Sequence, residues 1–140
     1  MGLLGKIFRK PAKRVKDEGS SLQRYGKSFH HAVEGFIYCF RFEHNMILII
    51  CATILVTMAG IFFEISVPEW LFVITMCGGI SACEALNSSI EAAVDLCTTE
   101  MHPLAKIAKD TGSTATLLLC ITSVVGGFII FLPKVMEYLG

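Results

Sequence analysis

Apolar residues run almost unbroken over three stretches of the chain and recur at helical spacing over a fourth. MILIICATILVTMAGIFFEI fills residues 46–65, WLFVITMCGGISAC residues 70–83 and ATLLLCITSVVGGFIIFL residues 115–132. About 20 residues of helix cross a hydrocarbon core of about 30 Å. The first and third stretches fit that length directly. The second fits only if the polar residues after it belong to the same helix. The link ISVPEW, 65–70, suits a tight turn, because Pro68 would break a helix from within and Trp70 suits the membrane interface. Upstream, Leu22, Tyr25, Phe29, Val33, Phe36, Ile37 and Phe40 recur at steps of three and four, with Arg24, Lys27, His31 and Arg41 at other positions. That spacing predicts an amphipathic helix lying on a membrane surface. The expected fold is all-α and integral to the membrane. A basic arm covers 1–19 and a membrane domain 20–140, with a surface helix over 20–42 and spans over about 46–65, 70–95 and 113–132.

Composition supports this reading. Of 140 residues, 54% are hydrophobic and 17% charged, against roughly 45–50% apolar in soluble domains. The formal net charge is zero, so total charge predicts no partner, and none of nucleic acid is expected. The distribution of charge carries more. Lys6, Arg9, Lys10, Lys13, Arg14, Lys16, Arg24, Lys27 and Arg41 precede the first span, Lys106 and Lys109 lie between the second and third, and Lys134 follows the third. The positive-inside rule places the N-terminus and the 106–109 link in the cytoplasm, with the other link and the C-terminus outside. The first 20 residues lack the apolar core of a secretory signal peptide. Six cysteines occur without a C-x-x-C pair. They read as small apolar packing residues rather than a disulfide or zinc framework.

The candidate chemistry lies where the second span turns polar. In EALNSSIEAAVDL, residues 84–96, the residues Glu84, Asn87, Ser88, Glu91 and Asp95 fall at helical steps and form one polar stripe. Entering at Trp70, the helix reaches Glu84 after about 21 Å, some 9 Å short of the far edge of the core. An unpaired acid at membrane depth costs roughly 2.5–3.5 kcal/mol even on the milder insertion scale. Glu84 therefore needs a partner, a cation or a function. Glu43, His44 and Asn45 precede the first span, and Lys106, Lys109 and Asp110 precede the third, on the same side. Carboxylates from two helices, such as Glu43 and Glu91, suit Mg²⁺ held together with substrate phosphates. A carboxylate at the depth of Glu84 suits a general base, and a nearby lysine would neutralise phosphate charge. The combination points to phosphoryl transfer to a lipid alcohol at headgroup level. The chain has neither G-x-x-x-x-G-K-[ST] nor G-x-G-x-x-G, the usual nucleotide-loop motifs. A second reading is a non-enzymatic oligomeric membrane protein or ion pathway with an acidic interior stripe. Against a channel, residues 70–83 carry no charge, so the stripe stops partway.

EALNSSIEAAVDL followed by TEMHPLAKIAKD, 99–110, resembles the signature of the prokaryotic diacylglycerol kinase family, which includes undecaprenol kinases. The resemblance extends from about Arg24 to Leu132. It implies a surface helix and three spans per chain, a homotrimer with sites shared between subunits, and MgATP as phosphate donor. Glu84 falls at the family's general-base position, with Asn87 beside it. Glu91 and Glu43 match its metal ligands. Lys109 and Asp110 match a nucleotide-binding pair, and Glu100, His102 and Arg24 fall at further ATP contacts. HPLAKIAKD looks like the undecaprenol-preferring branch, whereas the following TGS looks like the diacylglycerol branch. The implied setting is the cytoplasmic membrane.

Overall fold

The computed structural model describes residues 20–98, 100 and 102–140, apart from the side chain of Phe42. The basic arm expected over 1–19 lies outside the described residues. Four helices account for nearly all the rest: α1 (Ser21–Phe42), α2 (His44–Phe62), α3 (Val67–Cys97) and α4 (Pro103–Leu139). The chain divides at Gly35 into two units. In the part of α1 before that point, Leu22, Tyr25 and Phe29 are exposed. Glu34 there takes a hydrogen bond from His31 and lies beside His30, which together hold its carboxyl below the usual carboxylate range.

In the second unit, α2, α3 and α4 are each long and apolar enough to cross a membrane. Most of their large apolar side chains, Leu55, Leu71, Ile74 and Phe128 among them, are exposed on the single chain. Water would not tolerate that much continuous apolar surface, whereas lipid does. Four hydroxyls inside the spans satisfy themselves locally. Thr53 donates to the carbonyl of Ile49, Thr57 to Thr53, Ser81 to Cys77 and Thr122 to Leu118, at 2.7–2.9 Å. Each bond closes one turn back and leaves little polarity for hydrocarbon to meet.

Helices α3 and α4 run antiparallel. As α3 partners fall from Asp95 through Asn87, Gly79 and Phe72 to Glu69, their α4 partners rise from Lys109 through Gly112, Leu119 and Gly126 to Lys134. Two glycines admit aromatic rings. A Cβ on Gly126 would collide with the Phe72 ring, and one on Gly60 of α2 would lie 2.8 Å from Trp70. Around these contacts Ile65, Val73 and Ile130 form a small buried core, joined by Val56, Phe63 and Phe131. The neighbouring Gly127 faces open space, so only one member of that glycine pair permits close approach.

The helix ends depart from the apolar limits. The α2–α3 turn passes through Glu64, whose φ of 47° is left-handed. Ser66 then caps α3, donating both its N–H and its hydroxyl to Glu69 at 2.6 and 2.7 Å. Pro68 stands in the first turn of α3, where its missing N–H removes no helical bond. The helix thus starts before Trp70 and continues through the whole polar stripe. Helix α4 overruns the expected span 113–132 at both ends. It begins at Pro103, with His102 Nδ1 accepting from the N–H of Leu104 at 3.2 Å, and carries Pro133 within it near its far end.

Substituting Gly126 by Ala is expected to destabilise the protein by about 1–3 kcal/mol through overpacking against Phe72. Gly127→Ala, with room around it, should be neutral or stabilising, since alanine favours helix over glycine by about 1 kcal/mol. Thermal unfolding in detergent micelles, followed by circular dichroism, checks the contrast.

Candidate active site

The stripe on α3 changes from dry to wet along its length. Glu84 is 3% exposed, Asn87 6% and Ser88 8%. Glu91 is half-buried and Asp95 exposed. Among the described apolar core residues only Met46 is buried as deeply as Glu84. The inside of this end of the bundle is therefore polar, and each of its groups needs a partner.

Three contacts supply partners, and two of them fix one helix to another. Asn45, in the first turn of α2, donates its Nδ2 to Glu84 Oε1 at 2.7 Å. Asn87 donates its Nδ2 to Glu91 Oε1 at 3.0 Å, one turn along α3. The Asn87 oxygen then faces α4, where a Cβ on Gly112 would lie only 2.7 Å from it. Glycine at 112 is thus the condition for Asn87 to sit between the helices. Further along, Lys109 Nζ donates to Asp95 Oδ1 at 2.6 Å and ties the start of α4 to the end of α3.

Glu43 occupies the break between α1 and α2. Its backbone is extended, with φ −93° and ψ 114°, and its side chain makes no capping bond. It is half-buried and lies two residues before the asparagine that holds Glu84. Asp110 does not pair with its neighbour Lys109. It is exposed and bound by Lys106 at 2.6 Å, one turn back. Adjacent residues on a helix point about 100° apart, so residues four apart are the ones that meet. Glu100 and His102 are exposed in the α3–α4 connection. The Glu100 N–H donates to Thr98 Oγ1 at 3.1 Å, and His102 caps α4. Arg24 belongs to the unit before Gly35, where its guanidinium donates to Ser21 at 3.3 Å.

The structure therefore joins Glu84, Asn87, Glu91 and Lys109 through α3 and its direct contacts. Asn45, Asp95 and Gly112 are essential to that arrangement and were not among the expected site residues. Asn45 had a signal, an amide at the membrane level of an otherwise unpartnered acid. Among the described residues no three His, Cys, Asp or Glu side chains gather in a cage for a metal ion.

Comparison with known proteins gives the site its context. Residues 30–131 match the family model described as prokaryotic diacylglycerol kinase. This chain belongs to that family. It is a lipid kinase by class. It is 40% identical over 119 residues to the undecaprenol kinase of Bacillus subtilis, covering 85% of this chain and 97% of that protein. It is 32% identical to the diacylglycerol kinase of Pseudomonas aeruginosa, over 69% of this chain and 78% of that one. Likeness to the diacylglycerol kinase of Helicobacter pylori strain J99 is 30%, over 75% and 82%. The matched region holds every predicted site residue except Arg24.

Replacing Asn45 by Ala leaves the buried Glu84 carboxyl without its donor. The expected cost is about 1–3 kcal/mol of stability. An unchanged midpoint in chemical unfolding in micelles would refute this role for Asn45.

Proposed function

We propose that this chain transfers the terminal phosphoryl group of ATP to the hydroxyl of a membrane lipid alcohol, at the cytoplasmic face of the bilayer. The observation that carries the reading is a carboxyl group, Glu84, buried inside the helix bundle and held by an amide. It heads a polar stripe that ends in a lysine–aspartate pair. Such a gradient lets a lipid hydroxyl arrive from the hydrocarbon side and a charged nucleotide from the water side.

In this reading the acceptor hydroxyl comes to Glu84, which takes its proton as the oxygen attacks the terminal phosphorus. The bond from phosphorus to the ADP oxygen breaks, giving a lipid phosphate and ADP. Asn45 keeps the Glu84 carboxyl turned toward the site. Asn87 fixes the Glu91 carboxyl. Glu91 and Glu43 would hold Mg²⁺ together with phosphate oxygens, a donor set of hard oxygens that suits this ion and would supply charge neutralisation there. Lys109 exchanges its Asp95 partner for phosphate, and Asp110, Glu100, His102 and Arg24 contribute nucleotide contacts. Undecaprenol ranks first among acceptors, on the likeness to the Bacillus enzyme, with diacylglycerol second.

Three helices leave Glu91 half-buried and Asp95 exposed. A homotrimer whose neighbouring subunits close this side completes the site. The basic residues before the first span support an N-terminus in the cytoplasm.

Glu84→Gln should lower kcat by about 10²–10⁴ with the fold retained, the range a general base contributes. Purified protein is assayed with ATP and each lipid in mixed micelles. Turnover near the parent rate removes Glu84 from the chemistry. A higher kcat/KM for diacylglycerol than for undecaprenol reverses the acceptor order.

A further inference from the structure

Two buried polar atoms among the described residues have no hydrogen-bond partner, Asn87 Oδ1 and Thr116 Oγ1. Each costs about 1–3 kcal/mol if left so. Asn87 Oδ1 lies at the contact of α3 and α4, against Gly112. Thr116 is one turn beyond Gly112, on the same face of α4. In the antiparallel register it falls between Gly112, opposite Asn87, and Leu119, opposite Gly79.

Neither atom can be satisfied by a simple rearrangement of Asn87. The Glu91 carboxylate only accepts, so the Asn87 amide must present its NH₂ there, at 3.0 Å. Its oxygen is then committed to the α4 side. Thr116 is also unlike its neighbours. Thr111, Ser113, Thr114 and Thr122 of the same helix all donate to carbonyls in the preceding turn, whereas the Thr116 hydroxyl does not. One atom is an acceptor and the other can donate. A single water between them answers both, accepting from Thr116 and donating to Asn87, with the two polar partners such a site needs.

We propose that Thr116 is a positioning residue, acting through one bound water on the Asn87 amide and thereby on Glu91. The water holds the amide in the orientation that presents NH₂ to Glu91. The consequence for metal binding rests on the role given to Glu91 under the proposed function, whereas the Thr116–water–Asn87 link does not.

The test uses full-length protein in micelles, with Thr116→Val, which keeps the shape and removes the hydroxyl, and Thr116→Ser, which keeps the hydroxyl. In ¹⁵N-labelled protein the Asn87 side-chain NH₂ signal, identified by its loss in Asn87→Asp, should shift in Thr116→Val and return in Thr116→Ser. An NH₂ signal identical in parent and Thr116→Val overturns the link, whatever the reaction. Mn²⁺ binding in the presence of a non-hydrolysable ATP analogue, read by electron paramagnetic resonance, should weaken about fivefold in Thr116→Val, the equivalent of one net hydrogen bond, and recover in Thr116→Ser. A purely structural role would instead raise thermal stability in Thr116→Val, by removing an unpaired buried group, and leave Mn²⁺ binding unchanged. That result overturns the positioning role. Glu91→Ala in the same titration separates the two readings. If it leaves Mn²⁺ binding intact, the metal role of Glu91 fails while the NH₂ signal still decides the link.

Discussion

Glu84 is buried and needs a donor, and Asn45 provides one at 2.7 Å. The other contacts at this end of the bundle extend that solution. Once α2 is pinned to α3 at Glu84, the next turn of α3 presents Asn87 to α4, and α4 can approach because residue 112 has no side chain. Lys109 then lies within reach of Asp95. The Asn45–Glu84 and Lys109–Asp95 contacts each join α3 to one neighbour. The stripe is thus both the adhesive of this end and the chemical surface that the proposed reaction uses.

The opposite end is held by other means. There the Phe72 ring occupies the space at Gly126, Trp70 occupies that at Gly60, and the rings of Phe62 and Phe63 meet Tyr138 at 5.5 and 6.3 Å. Shape fit carries most of the contact, since lipid gives apolar helices little reason to prefer each other to solvent. One ion pair, Lys134 with Glu69 at 3.5 Å, closes the edge. Rigid packing at one end leaves the polar end free to be specified by chemistry rather than by volume.

Much of this was legible beforehand. Long apolar runs carry the three spans, because hydrocarbon permits no other backbone than a helix. The steps between Glu84, Asn87, Glu91 and Asp95 carry the stripe, because helical periodicity fixes which residues share a face. Two things were not legible. Helix ends extend beyond the apolar stretches, because apolar content marks where lipid lies, whereas caps mark where a helix stops. Ser66 starts α3 ahead of Trp70, and His102 with Pro103 starts α4 ten residues ahead of the expected span. Partners across helices were the second gap. Asn45 with Glu84, and Lys109 with Asp95, depend on register between helices, which a single chain's periodicity does not contain. The roles of Gly112 and Gly126 emerge only once the facing side chain is known.

Helix lengths have a consequence for where the protein can reside. At 19 residues, α2 spans about 28 Å, whereas α4, at 37, spans about 55 Å. The long helix passes through a thin or thick bilayer alike by exposing more or less of its polar ends. The short one has no such reserve, being held by Asn45 at one end and by the Gly60–Trp70 contact at the other. Hydrophobic mismatch in a thicker bilayer therefore falls first on α2, the shortest of the three apolar helices.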